Sequence, residues 1–225
     1  MKTSLDTLHE IYDKVEGLLI HYNNLPERDI RRVYFEILRT QIAVCERSLR
    51  INMDYANKNK KDFEALLTTE KQREDYVHHF LQNTAEAIFD TALFQTELLF
   101  RVLYSKLTGQ HVGQEKNLHK VIAVLCEDTE NNWKKEESRL LLLIQSVRNT
   151  IHTGGIYFHD PNGTTLTYKA VEYKFEYGKG PAFIKEGFSF FLISELVDII
   201  HMIFQTQKII NLGSWEHPNF AALGK

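Results

Sequence analysis

The stretch IFDTALFQTELLFRVLYSKL, residues 88–107, decides the fold class. Ile88, Ala92, Gln95, Leu99 and Leu103 recur at three- and four-residue steps, and Phe89, Leu93, Phe100 and Leu107 widen that line into a broad apolar face. Glu86, Asp90, Glu97 and Arg101 keep to the other side, which is the period of an amphipathic α-helix and not of a strand. Glu97 and Arg101 stand in the favourable i, i+4 order, worth about 0.3 kcal/mol to the helix. Upstream the pattern extends to Phe63 with a loosening at Thr68 and Thr69; downstream Gly109 and Gly113 end it.

The same period governs most of the chain. Leu5, Leu8, Ile11, Tyr12, Val15, Leu18 and Leu19 mark a first helix closed by Pro26, and residues 28–53 a second, with Ile30, Val33, Tyr34, Ile37, Leu38 and Ile42 on its apolar side. Residues 52–61, rich in Asn and Lys, are expected to be a polar connector. Residues 118–125 and 133–152 predict two more helices. The period then switches to alternation: residues 156–159, a turn at Asp160-Pro161-Asn162-Gly163, and residues 164–168 suggest strand, turn, strand, with a further strand-like run at 171–177. A last helix, 186–210, is apolar nearly all round except for Ser194, Asp198, His201, Gln205 and Lys208, so it should sit centrally with one edge wet. The expected architecture is mainly α: a bundle of about six helices with a small β-hairpin insertion (156–177) between the last two. It is expected to form a single domain over 1–225, with 1–70 as an N-terminal helical extension.

Composition excludes several classes. Hydrophobic content of 43% with 25% charged residues is that of a globular chain, and a formal net charge of −3 argues against a broad electrostatic grip on nucleic acid, so a polyanion would need a local basic patch. Cys45 and Cys126 stand far apart without metal-ligand spacing, which indicates neither a disulfide framework nor a zinc site and fits a cytoplasmic location. No secretory leader is expected from the first residues. The most apolar segment, 188–204, is interrupted by Glu195, Asp198 and His201, so no membrane span is expected. No phosphate-binding glycine loop, zincin motif, nucleophile elbow or dinucleotide fingerprint occurs, and no cofactor or metal is expected.

Chemistry concentrates at Arg148-Asn149-Thr150-Ile151-His152, which closes the apolar run Leu140–Val147 and precedes Gly154-Gly155. Residues four apart on a helix lie about 40° from each other around the axis, so Arg148 and His152 share a face. A guanidinium presents a planar fork suited to phosphate, and an imidazole exchanges protons near neutral pH. Asn149 lies about 100° round the axis, placed to orient a phosphate or to hold the helix end. Both basic groups would also be favoured there simply as caps of a helix C-terminus.

The stretch Val147-Arg148-Asn149-Thr150-Ile151-His152-Thr153-Gly154-Gly155-Ile156-Tyr157, after an apolar helix and before a final long one, resembles the signature segment of the HEPN superfamily, whose members carry an R-N-x-x-H style element. Residues 92–104 resemble the long early helix of those domains, where an acidic residue sits within an apolar run. The resemblance covers roughly 73–211. It implies a helical bundle, often dimeric, that acts as a metal-independent ribonuclease in toxin-antitoxin, defence or RNA-processing systems. Arg148 and His152 are then the catalytic residues, Asn149 and Tyr157 substrate-binding residues, single-stranded RNA the substrate, and a second copy of the chain and a nucleotidyltransferase-type antitoxin the partners. The superfamily pattern has four to six residues between Arg and His, where this chain has three. A non-catalytic module binding RNA, a nucleotide or a protein is the competing expectation.

Other residues leave alternatives open. Arg73 with His78 and His79 satisfies the superfamily spacing but lacks the following Asn and the glycine exit; a solvated charged face is the simpler reading. His201 stands on the polar stripe of the last helix. Tyr157, Phe158, Tyr168, Tyr173, Phe175 and Tyr177 either stack on bases or pack the hairpin on the helical body. Arg28, Arg31, Arg32, Arg39, Arg47 and Arg50 either form an RNA-facing patch or pair with acidic neighbours.

Overall fold

The computed structural model describes residues 4–129, 133–185 and 187–217. The fold is mainly α. Among the described residues there are eight α-helices: α1 (Ser4–Leu19), α2 (Ile30–Lys58), α3 (Lys60–Leu66), α4 (Glu70–Thr108), α5 (Leu118–Cys126), α6 (Glu136–His152), α7 (Phe188–Phe204) and α8 (Gln207–Ile210). Between α6 and α7 lies an antiparallel hairpin of β1 (Thr164–Tyr168) and β2 (Val171–Phe175). Two helices beyond the expected six come from splits, the first at residues 67–69 between α3 and α4. The 52–61 connector is helical apart from one turn residue, Asn59, whose backbone and side-chain N–H groups both bond the Tyr55 carbonyl (2.9 and 3.0 Å). The last helix breaks after Phe204, where the Thr206 hydroxyl bonds the Ile203 carbonyl at 2.7 Å. Its expected start at Glu186 lies outside the described residues. No helix among them is long and apolar enough to cross a membrane.

The chain groups into two compact units, dividing between Ala92 and Leu93 inside α4. The first runs to Ala92 and takes back the segment from Trp215. In it α1 packs on α2 through Leu8, Ile11, Val15 and Leu19 on one helix and such residues as Phe35, Leu38 and Ile42 on the other, all buried. Asp29 caps α2, its Oδ1 accepting the Arg31 N–H at 3.0 Å. The same carboxylate, wholly buried, takes the Arg31 guanidinium in a two-pronged pair (2.9 and 2.8 Å) and the Trp215 N–H at 3.2 Å. Backbone bonds Ile30 N to Trp215 O (2.9 Å) and His217 N to Arg28 O (2.8 Å) complete a short bridge, with Arg31 lying 5.4 Å over the Trp215 ring.

The second unit, Leu93–Ser214, centres on α6 and α7. Leu140, Leu141, Leu142, Leu143, Ile144 and Val147 are all buried, as are Phe190, Leu192, Ile193, Leu196, Val197, Ile199, Ile200, Ile203 and Phe204 of α7. Ser194, Asp198, His201, Gln205 and Lys208 keep the partly or fully exposed edge expected of them. The Asp128 carboxylate receives the N–H groups of Thr129 (2.8 Å), Lys134 (3.0 Å) and Lys135 (2.9 Å), so it serves the start of α6 where Lys135, the N-cap residue, offers no capping side chain.

The hairpin differs from expectation in its register. Residues 156–159 form no strand; β1 pairs β2 from Thr164↔Phe175 to Tyr168↔Val171, closed by the two-residue turn Lys169-Ala170. Both turn residues have positive φ (47° and 60°), the geometry of the tight hairpin turns that suit strand twist. The hairpin docks on the helices through Tyr168, whose hydroxyl donates to Glu195 of α7, and through Lys169, whose ammonium lies 2.7 Å from Glu195 and whose N–H bonds Glu136 of α6 at 3.0 Å. Burial, reinforced by the Glu195 carboxylate, pushes the Tyr168 phenol well above its ordinary range.

Candidate functional site

The last two turns of α6 carry Arg148, Asn149 and His152, and the helix end is tightly determined. Gly154 and Gly155 adopt positive φ (72° and 84°), letting their N–H groups return to the Ile151 (3.0 Å) and Thr150 (2.9 Å) carbonyls. Thr153 closes the turn from its side chain, its hydroxyl lying 3.0 Å from the carbonyls of Asn149 and Thr150 and also reaching the Ile156 carbonyl. His152 is therefore the final helical residue, exposed, one turn beyond Arg148 on the same face.

Arg148 is half-buried and faces α4. Its Nη1 lies 3.5 Å from Glu97 Oε2, while Glu97 Oε1 accepts from Arg101 Nε (3.0 Å) and Nη2 (2.7 Å). One carboxylate thus bridges two guanidiniums, and the cluster keeps an excess positive charge. Side-chain exposures of 35% for Arg148, 29% for Glu97 and 20% for Arg101 leave it reachable from solvent. Glu97, expected on the polar side of its helix, instead sits where α4 meets α6. Arg101 is held in turn by the Glu115 carbonyl.

Behind this cluster lies a cavity of about 40 Å³, lined by apolar groups such as Phe100, Ile122, Leu141, Ile144 and Leu196 together with Gln145. That is far below the roughly 300 Å³ of a small-molecule pocket, so a phosphate chain would be met at the surface by Arg148 and not swallowed. The Gln145 side-chain oxygen is buried there with no hydrogen-bond donor among the described residues.

The other expected site residues are placed as follows. Asn149 is half-buried on α6, and its carbonyl serves the helix end through Thr153. Tyr157 is 1% exposed, its hydroxyl 2.9 Å from that of Thr164 and its ring 5.1 Å from Phe175. It packs inside the hairpin region, so it is not on a surface where a base could stack on it. Tyr168, Tyr173 and Phe175 are likewise buried, while Phe158 and Tyr177 are half-exposed and meet edge-on at 5.5 Å. His201 is partly buried on α7. Arg73 donates to the Leu67 carbonyl at 2.9 Å, tying α4 to the end of α3, while His78 and His79 are both exposed on the first turns of α4 with rings 5.9 Å apart. No group of three or more His, Cys, Asp or Glu with metal-binding geometry occurs among the described residues.

The arginines of and just before α2 divide into two sets. Arg28 pairs with Glu216 (3.4 Å), Arg31 with Asp29 and Arg32 with Glu36 (2.8 Å). Arg39, Arg47 and Arg50 line a groove against α1. Sequence reasoning did not single out Glu97 and Arg101 as partners of Arg148, or Gln145 beside it. The available signal was the acidic residue embedded in the apolar run 92–104.

No protein family, no characterised protein and no solved structure matches the chain.

Proposed function

We propose that the chain is a HEPN-like endoribonuclease of the cytoplasm that cleaves single-stranded RNA without a metal, using Arg148 and His152. What carries this reading is the exposed imidazole of His152 one turn from a guanidinium that Glu97 orients through a single nitrogen. In the reaction the ribose 2′-oxygen attacks phosphorus and loses its proton to a base; the bond to the 5′-oxygen breaks as that oxygen gains a proton from an acid. The products are a 2′,3′-cyclic phosphate and a 5′-hydroxyl. His152 takes one of the two proton-transfer roles and Arg148 neutralises charge developing on the phosphate. The second proton-transfer group comes from a second copy of the chain, two sites meeting across a two-fold interface. A nucleotidyltransferase-type protein would serve as antitoxin.

The test is incubation of the purified chain with single-stranded RNA in EDTA. Cleavage leaving cyclic phosphate ends is expected, reduced at least about 10²-fold by His152→Ala and by Arg148→Ala. Undiminished cleavage by His152→Ala would remove this mechanism.

A second reading is a non-catalytic module that binds RNA. It is favoured by the Glu97–Arg148 pair, which already supplies the guanidinium with an anion, and by the three-residue spacing of Arg148 and His152. Saturable RNA binding with no product in the same assay would select it.

A further inference from the structure

Along the face where α1 meets α2 runs a groove of about 700 Å³, lined by His9 and Tyr12 of α1 and by Arg39, Ala43, Arg47 and Arg50 of α2. Its size is within the range of ligand sites, roughly 300–1,000 Å³. Arg39, Ala43, Arg47 and Arg50 follow one another at helical spacing, so the stripe extends about 16 Å along α2 at 1.5 Å per residue. The lining itself holds three guanidiniums and one carboxylate, Glu46, while Glu16 and Asp13 stand at its rim beside Arg39 and His9.

Arg39 and Arg50 are steadied yet keep N–H groups open. Arg39 is engaged through Nη1 alone, 3.1 Å from Glu16 on α1. Arg50 is engaged through Nε (3.0 Å) and Nη2 (2.6 Å) by Glu46, a carboxylate only 14% exposed that also holds His9 at 3.5 Å. Arg47 is exposed and has no ion-pair partner among the described residues. Surface ion pairs such as Arg39–Glu16 are worth little, about 0–1 kcal/mol, whereas a guanidinium fork meets a phosphate with strong paired hydrogen bonds. The half-buried Tyr12 ring, beside Ala43 and Val44, adds an aromatic surface midway along the row of charges. A cationic track with an aromatic ring set into it is the combination that grips a single strand, phosphates by charge and bases by stacking.

We propose that the α1–α2 groove binds single-stranded nucleic acid, with Arg39, Arg47 and Arg50 on successive backbone phosphates and a base against Tyr12. This site lies wholly within the first unit, and it does not require that Arg148 and His152 cleave anything.

The experiment uses the full chain and fluorescent, uncleavable oligomers of roughly ten nucleotides, one of 2′-O-methyl RNA and one of DNA, read by anisotropy over a salt series. Binding of either is expected, with Arg47→Ala weakening it several-fold and lowering the slope of log affinity against log salt by about 0.7, the release from one phosphate contact on a single strand. Binding of both oligomers alike assigns the grip to backbone and bases; binding of the RNA analogue alone adds recognition of the sugar. Photocrosslinking of a thiouridine-bearing oligomer to the unaltered chain should label peptides of α1 or α2, a readout that needs no variant to fold. Absence of oligomer binding, saturation by ATP alone, an unchanged affinity and salt slope in Arg47→Ala, or crosslinks confined to other peptides would overturn the proposal. A chain that binds here but cleaves nothing would retain this inference and lose the ribonuclease reading.

Discussion

Glu97 on α4 reaches Arg148 on α6 at 3.5 Å while its other oxygen holds Arg101, so a single carboxylate ties two helices of the second unit together at the mouth of the candidate site. All three side chains are partly exposed, which limits the energy of the arrangement and makes it sensitive to salt.

Glu97→Ala should cost about 0.5–1 kcal/mol, because it removes two part-exposed pairs and leaves two guanidiniums near each other without their shared anion. Urea denaturation at low and high ionic strength checks this. The loss should shrink in high salt, and an equal loss in both would mean that packing, not charge, accounts for it.

Ala170→Gly should stabilise the chain by about 1 kcal/mol. Ala170 holds φ 60° in the hairpin turn, a conformation that strains any side chain and that glycine adopts freely. A raised thermal midpoint, together with slower amide exchange in β1 and β2, is the expected result.

Asp128 governs an acid-sensitive contribution to folding. Partial burial works to raise its pKa, but the N–H groups of Lys135, Thr129 and Lys134 together outweigh this and hold it down at about 2 against an ordinary 3.8. A carboxyl depressed in the folded state stabilises fully above its unfolded value and loses that effect as pH falls through the folded one. Asp128→Asn should therefore lower the unfolding midpoint at neutral pH and make progressively less difference between pH 4 and pH 2, as followed by circular dichroism.

Cys126 should resist alkylation in the folded chain. Burial pushes its thiol up to about 12, so the reactive thiolate is scarce at neutral pH as well as sterically covered. Mass spectrometry after brief iodoacetamide treatment should find Cys126 modified only when denaturant is present.

The helices were legible because their burial follows from period alone. The face written at Ile88, Phe89, Ala92, Leu99 and Leu103 is buried as expected, and the loosening at Thr68 and Thr69 is the gap between α3 and α4. The strands at 164–168 and 171–175 fall where alternation put them, but the turn was expected at Asp160–Gly163 and is instead made by Lys169-Ala170, which carries none of the glycine or asparagine signal of such turns. The stronger signal at Asp160–Gly163 does make a turn, with Gly163 N bonded to Asp160 O at 2.9 Å, but residues before it pair elsewhere: Tyr157 exchanges backbone bonds with Gly178 (2.8 Å) and Lys179 (3.0 Å). Those long-range bonds are also what buries Tyr157. At the site, Arg148 and His152 share a face as their spacing demands. The role of Glu97 was hidden, because the orientation of α4 toward α6 depends on tertiary packing that a helical pattern does not encode.

The bridge between Asp29–Arg31 and Trp215–His217 carries a consequence for biosynthesis. A buried aspartate at the start of α2 needs the Trp215 amide, yet nearly two hundred residues must leave the ribosome between the two. During translation α1 and α2 can pair early, but the cap of α2 stays unfinished until the second unit has been made. A nascent chain stalled before Trp215 should therefore present an N-terminal helical pair open to proteases and chaperones, which would close only once the Trp215 segment has emerged.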